Sequence, residues 1–102
     1  MKTDKMKTPI SSIEETMQAR GERMILLLKK SLGKRHFRYA LGEGADTYSV
    51  YAEYKDESTH TLGSVPDFSN EREVAEGFCR LLSRILATPL SLEAIYEDSV
   101  TP

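Results

Sequence analysis

The chain has 102 residues, 39% apolar and 29% charged, with a formal net charge of −2. That size suits one domain with one modest core, and the mixture argues against a membrane protein and against wholesale disorder. The longest apolar run, Met24 to Leu28, falls far short of the roughly 20 residues of a membrane span, and the lone Cys79 excludes an internal disulfide, so a soluble protein of a reducing cytoplasm is expected.

Residues 1–10 are polar and lack apolar periodicity, which predicts a flexible tail ahead of a single domain over 11–102. Ser11 or Ser12, followed by Glu14 and Glu15, marks a helix start. Ile13, Met17, Met24, Leu28 and Leu32 then recur near helical spacing and predict a helix over 12–31, with an interruption at Gly21. A rival reading of the same residues stops the helix at Gly21 and places a strand through Met24–Leu28.

Three strands are predicted next. Phe37, Tyr39 and Leu41 alternate with Arg38 and Ala40, and Tyr48, Val50, Ala52 and Tyr54 alternate with Ser49, Tyr51 and Glu53. A third strand is expected from about His60 to Val65, and the short links make the set an antiparallel meander. Tyr51 points away from Tyr48, Val50 and Tyr54, so the second face of the sheet needs cover, from the N-terminal helix or from a second copy.

Pro66 cannot donate to a ladder and is expected to end the third strand. Asp67, Ser69 and Asn70 suit the start of a helix over 70–87, and Asn70 with Glu73 resembles a capping box. Val74, Phe78, Leu81, Leu82 and Ile85 form its inward stripe, and Ser91 caps a short last helix over 91–99. The fold class is therefore α+β.

Candidate chemistry is sparse. His36, His60 and Cys79 show no metal-ligand spacing, and Cys79 reads as a half-buried structural thiol on the apolar side of its helix. Gly42-Glu43-Gly44 lacks the remainder of a phosphate loop and reads as a hairpin turn. No catalytic residue, metal, cofactor or small-molecule ligand is expected. A sheltered cavity holding His36 or His60 with Cys79 or a carboxylate would overturn that expectation.

Charge is unevenly divided, with ten Lys/Arg against four Asp/Glu in residues 1–38 and four against twelve in the remainder. Lys29, Lys30, Lys34, Arg35 and Arg38 surround Phe37, a composition that can release counterions from nucleic acid and stack on a base. The same residues also suit a helix C-terminus followed by a solvated loop. The topology resembles double-stranded-RNA-binding domains, yet the start of the last long helix reads SNEREVAE, which is acidic and would repel phosphate.

Three pieces carry a second resemblance: Tyr48-Ser49-Val50-Tyr51-Ala52, then Val65-Pro66-Asp67-Phe68-Ser69 with Val74 beyond, then Thr88-Pro89-Leu90-Ser91-Leu92 followed by Glu97-Asp98. From about Arg38 onward the chain resembles a family of small proteins from clostridia and related bacteria, classed as a domain of unknown function. Ser91 and Ala94 stand where the family pattern has a His and an Asp. The resemblance implies a fold outline and brings no activity. The resulting expectation is a non-catalytic interaction or regulatory module whose partner is a protein or a second copy. Nucleic-acid binding through residues 29–38 is the alternative, and no membrane partner is expected.

Overall fold

The computed structural model describes residues 12–89. Helix α1 spans Ile13–Arg20 and opens on the predicted signal, a capping box. The Ser12 hydroxyl accepts from the Glu15 amide at 3.1 Å, and the Glu15 carboxylate accepts from the Ser12 amide at 3.1 Å. Gly21, at φ +73°, ends the helix in the left-handed conformation that favours glycine. The chain then straightens into strand β1, Arg23–Leu32, so the continuous helix over 12–31 is corrected. The rival reading has the right type of element, with a strand longer than Met24–Leu28. The physical reason lies in the cover on both sides: Ile25, Leu26 and Leu28 pack toward one core, and Met24 and Leu27 toward the other. A strand sandwiched between two layers reads as a continuous apolar run, which helical spacing can mimic.

β1 turns through Gly33 and Lys34 into β2, Arg35–Glu43, which is followed by β3, Tyr48–Lys55, and β4, His60–Ser69. The order across the sheet is β1-β2-β3-β4, all antiparallel, so the predicted meander has four strands and not three. β4 also runs past Val65 and through Pro66. It is an edge strand, where a residue without an N–H is tolerated. The register shifts between Tyr48 and Val50, opposite Asp67 at φ +53°, and the Asp67 amide donates to Ser49 Oγ at 3.0 Å. Ser49 satisfies a donor that the irregular ladder releases.

Helix α2, Arg72–Ile85, lies on one face of the sheet. Its N-cap is Glu71, without a side-chain cap, so the Asn70–Glu73 box is not formed; Ser69 Oγ instead accepts from the Glu71 amide at 3.0 Å. The buried side of α2 is Ala75, Phe78, Cys79, Leu82 and Ser83, whereas Val74 and Ile85 are 48% and 50% exposed. The predicted stripe is thus rotated about the helix axis. The small Ala75, Cys79 and Ser83 share a side at spacings of four, and that side lets the helix approach the strands closely.

The core has two layers. Phe37, Tyr39, Leu41, Val50 and Ala52 pack against α2, and the Tyr39 hydroxyl donates to the Ala87 carbonyl at 2.7 Å. On the other face Ile13 and Met17 of α1 pack on Ala40 and Tyr51. Cover for the second face comes from the chain's own N-terminal helix. The predicted tail over 1–10 and helix over 91–99 lie outside the described residues.

Candidate functional site

The five basic residues singled out in the sequence do not share one surface. In the β1–β2 register Lys29 faces Arg38 and Lys30 faces Phe37. Alternation along the strand sends Lys29 and Arg38 to the α1 face and Lys30 to the α2 face. Lys34 sits in the turn with its ammonium 2.7 Å from Glu57. The Arg35 guanidinium lies 5.6 Å from the Phe37 ring centre and 5.8 Å from that of Tyr54. Phe37 is only 2% exposed and cannot stack on a base.

Arg38 is neutralised within the chain. It donates to both oxygens of Glu14, at 2.8 and 2.9 Å, and to Glu53 at 2.7 Å through Nε. The Arg38 guanidinium holds the Glu14 carboxyl well below its ordinary value near 4.5, at about 2, and its own proton is held more tightly in return. Glu53 is buried and also meets His60, whose Nε2 lies 2.6 Å from Oε2. A second acid, Glu22, is nearly inaccessible. It accepts from Ser49 Oγ at 2.6 Å, from the Tyr51 hydroxyl and from Arg20 at 3.3 Å. Burial foremost, and then Glu22, pushes the Tyr51 hydroxyl up. The sequence pattern marks Glu14 only as helix-start charge and gives Glu22 no distinct role, so their roles emerge only in space. One signal was present: Ser49, Tyr51 and Glu53 alternate along β3 on the face opposite Val50 and Ala52.

The His60–Glu53 pair has the form of a base and its orienting acid. Arg38 holds the other oxygen of Glu53, and Cys79 lies across the sheet in the α2 layer, so the thiol does not adjoin the pair. His36 pairs with Ser31, Nδ1 to Oγ at 3.0 Å, at the exposed end of the first hairpin. Among the described residues no group of three His, Cys, Asp or Glu is placed to hold a metal ion. Burial pushes the Cys79 thiol up to about 12. Cys79 is therefore expected to resist iodoacetamide at about pH 8 in the folded chain and to react readily in concentrated guanidinium, because thiolate is the reacting form. Equal rates in the two conditions would show the thiol to be accessible.

Two open grooves lie on the surface of the described residues. One, of about 530 Å³, runs between β1 and α2 and is lined by Leu28, Lys30, Gly77, Arg80, Ser83 and Arg84. The other, of about 480 Å³, lies at the hairpin ends and is lined by Lys34, His36, Lys55, Asp56 and Glu57. The second brings His36 beside Asp56 and Glu57 in a groove open to solvent and not in a sheltered cavity, and neither groove is lined by His60, Glu53 or Cys79. On the outer flank of α2, Val74, Leu81 and Ile85 follow one another at helical spacing, the first and last half exposed. No helix among the described residues is long and apolar enough to cross a membrane. In comparisons with known proteins the chain matches no family model, no curated protein and no solved structure.

Proposed function

We propose that the protein is a non-catalytic interaction module that binds protein, a second copy of itself included. The observation that carries this reading is the apolar flank of α2, where Val74 and Ile85 stand half exposed beside Leu81. A helix flank of that kind is a surface that another chain can dry. The arrangement of the ionisable groups agrees with it: Glu14, Arg38, Glu53 and His60 engage one another, as do Arg20, Glu22, Ser49 and Tyr51. The reading keeps the chain with the clostridial family that it resembles and in the cytoplasm. Nucleic-acid binding through residues 29–38 is supported by no single surface, since Lys29 and Lys30 diverge and Arg38 is paired.

Light scattering over a concentration series, with capture from nuclease-treated and untreated lysate, tests this. The expected result is self-association or nuclease-resistant capture that the Val74→Glu/Ile85→Glu variant loses without loss of thermal stability. A chain that stays monomeric and captures nothing, or whose captured material vanishes on nuclease treatment, overturns the reading.

A further inference from the structure

Strand β1 is an outer strand, hydrogen-bonded on one side to β2. Among the described residues its other side is unpaired and presents a row of backbone donors and acceptors, the feature through which sheets acquire additional strands. The ladder shifts register between Met24 and Leu26 and is regular from there to Leu32, which leaves the second half of the edge straight enough to pair. That edge is charged in one sense. Lys29 and Lys30 are basic, Arg23 is paired with Glu43 of β2, and β1 contains no acid, so a second β1 paired across Lys29 and Lys30 would bring like charges together. An acidic strand meets no such penalty.

The groove beside this edge has the same sign. Lys30 of β1 and Arg80 and Arg84 of α2 surround Leu28. Glu76 lies close by and accepts from Arg80 at 2.9 Å, with Arg72 at 3.7 Å. Lys30 and Arg84 have no acidic partner among the described residues, and neither does Lys29 on the opposite face. Gly77 widens the groove. A Cβ there would meet nothing within 4 Å, so close packing inside the chain does not require the glycine, which weakens a helix interior by about 1 kcal/mol relative to Ala.

We infer that β1 and this groove bind an acidic peptide in extended form, which adds to the sheet as a fifth strand. On the α2 side one of its carboxylates sits among Lys30, Arg80 and Arg84, with an apolar side chain against Leu28; on the other side a carboxylate meets Lys29. The inference shares with the proposed function the premise that the ligand is a protein chain, but it uses a different surface from the α2 flank.

Fluorescence anisotropy with the full chain tests it, using a labelled peptide of about ten residues, a common strand length or a little more, in which Glu alternates with Val and Leu. A peptide with Lys in place of Glu and a short single-stranded DNA are the comparisons. The acidic peptide is expected to bind saturably, more weakly as salt rises, and about tenfold more weakly to Lys30→Glu and to Arg84→Glu, the effect of one charge contact turned repulsive. Methylating alternate amide nitrogens of the peptide removes ladder donors and is expected to abolish binding. Circular dichroism of the two charge variants, and the milder Lys30→Gln and Arg84→Gln, separate lost binding from lost folding. Absence of binding at about 1 mM peptide, the affinity range where only a few kcal/mol are gained, overturns the inference. So does binding that ignores these variants or the methylation. Equal binding of the DNA with the same losses overturns it in favour of a general polyanion site. The Val74→Glu/Ile85→Glu variant is expected to bind the peptide normally, so a failure at one surface is distinguishable from a failure at the other.

Discussion

Replacing Arg38 by Met is expected to cost roughly 3 kcal/mol of folding stability, measured by urea unfolding, because it strands a buried carboxylate. Glu53 is 6% exposed and is held by Arg38 and His60. Without the guanidinium its charge keeps only the imidazole as a close partner, and the sheet face around it excludes the water that would compensate. The estimate sits at the low end of the range for broken buried pairs because a quarter of the Arg38 side chain is accessible. The double variant Arg38→Met/Glu53→Leu is expected to recover most of the loss, since it removes both charges and leaves apolar groups beside Leu62 and Tyr51. A single variant that costs less than about 1 kcal/mol would show that solvent reaches Glu53 freely.

The same arginine sets part of the acid limb of stability. Glu14 has its folded pKa depressed to about 2 from an ordinary value near 4.5. A depressed carboxyl stabilises the folded state above its unfolded pKa and loses that contribution as pH falls toward the folded one. Stability is therefore expected to decline as pH is lowered from about 5 toward 2, and this part of the decline disappears in Arg38→Met. The contribution is modest because the Glu14 side chain is half exposed and solvent screens the pair.

Ile13→Ala is expected to destabilise the chain by about 3 kcal/mol, within the range for truncating a fully buried aliphatic side chain. Ile13 is inaccessible and packs with Met17 on Ala40 and Tyr51. Cover from α1 is intramolecular, so the loss should be the same at all protein concentrations. A loss below about 1 kcal/mol, or one that fades as concentration rises, would mean that a second copy supplies the cover instead.

Several elements were legible because local chemistry dictates them. Ser12 and Glu15 can satisfy each other's orphan amides only at a helix start, and Gly21 is suited to the left-handed residue that ends α1. The alternations Phe37-Tyr39-Leu41 and Tyr48-Val50-Ala52 survive intact as β2 and β3, since a sheet with different layers on its two sides requires a period of two. The acidic character of Glu71 and Glu73 likewise belongs at the start of α2.

Other features depend on partners distant in the chain. Met24 to Leu28 satisfies a helix and a strand equally well until β2 offers a ladder and two layers of side chains close over it. Pro66 reads as a stop unless β4 is known to lie at an edge. The rotation of α2 places the small Ala75, Cys79 and Ser83 on its buried side, which a pattern of large apolar residues does not mark.

The basic segment shows the division most clearly. Its charge was evident from composition, yet a strand places neighbouring residues on opposite faces, so Lys29 and Lys30 part company while Lys30 meets Arg80 and Arg84 from the far side of the fold. Which side chains are basic is a property of the chain. Whether those charges are paired, buried or left open depends on distances of a few ångströms, across which electrostatic energies change several-fold, and only the folded sheet and its two helices set those distances.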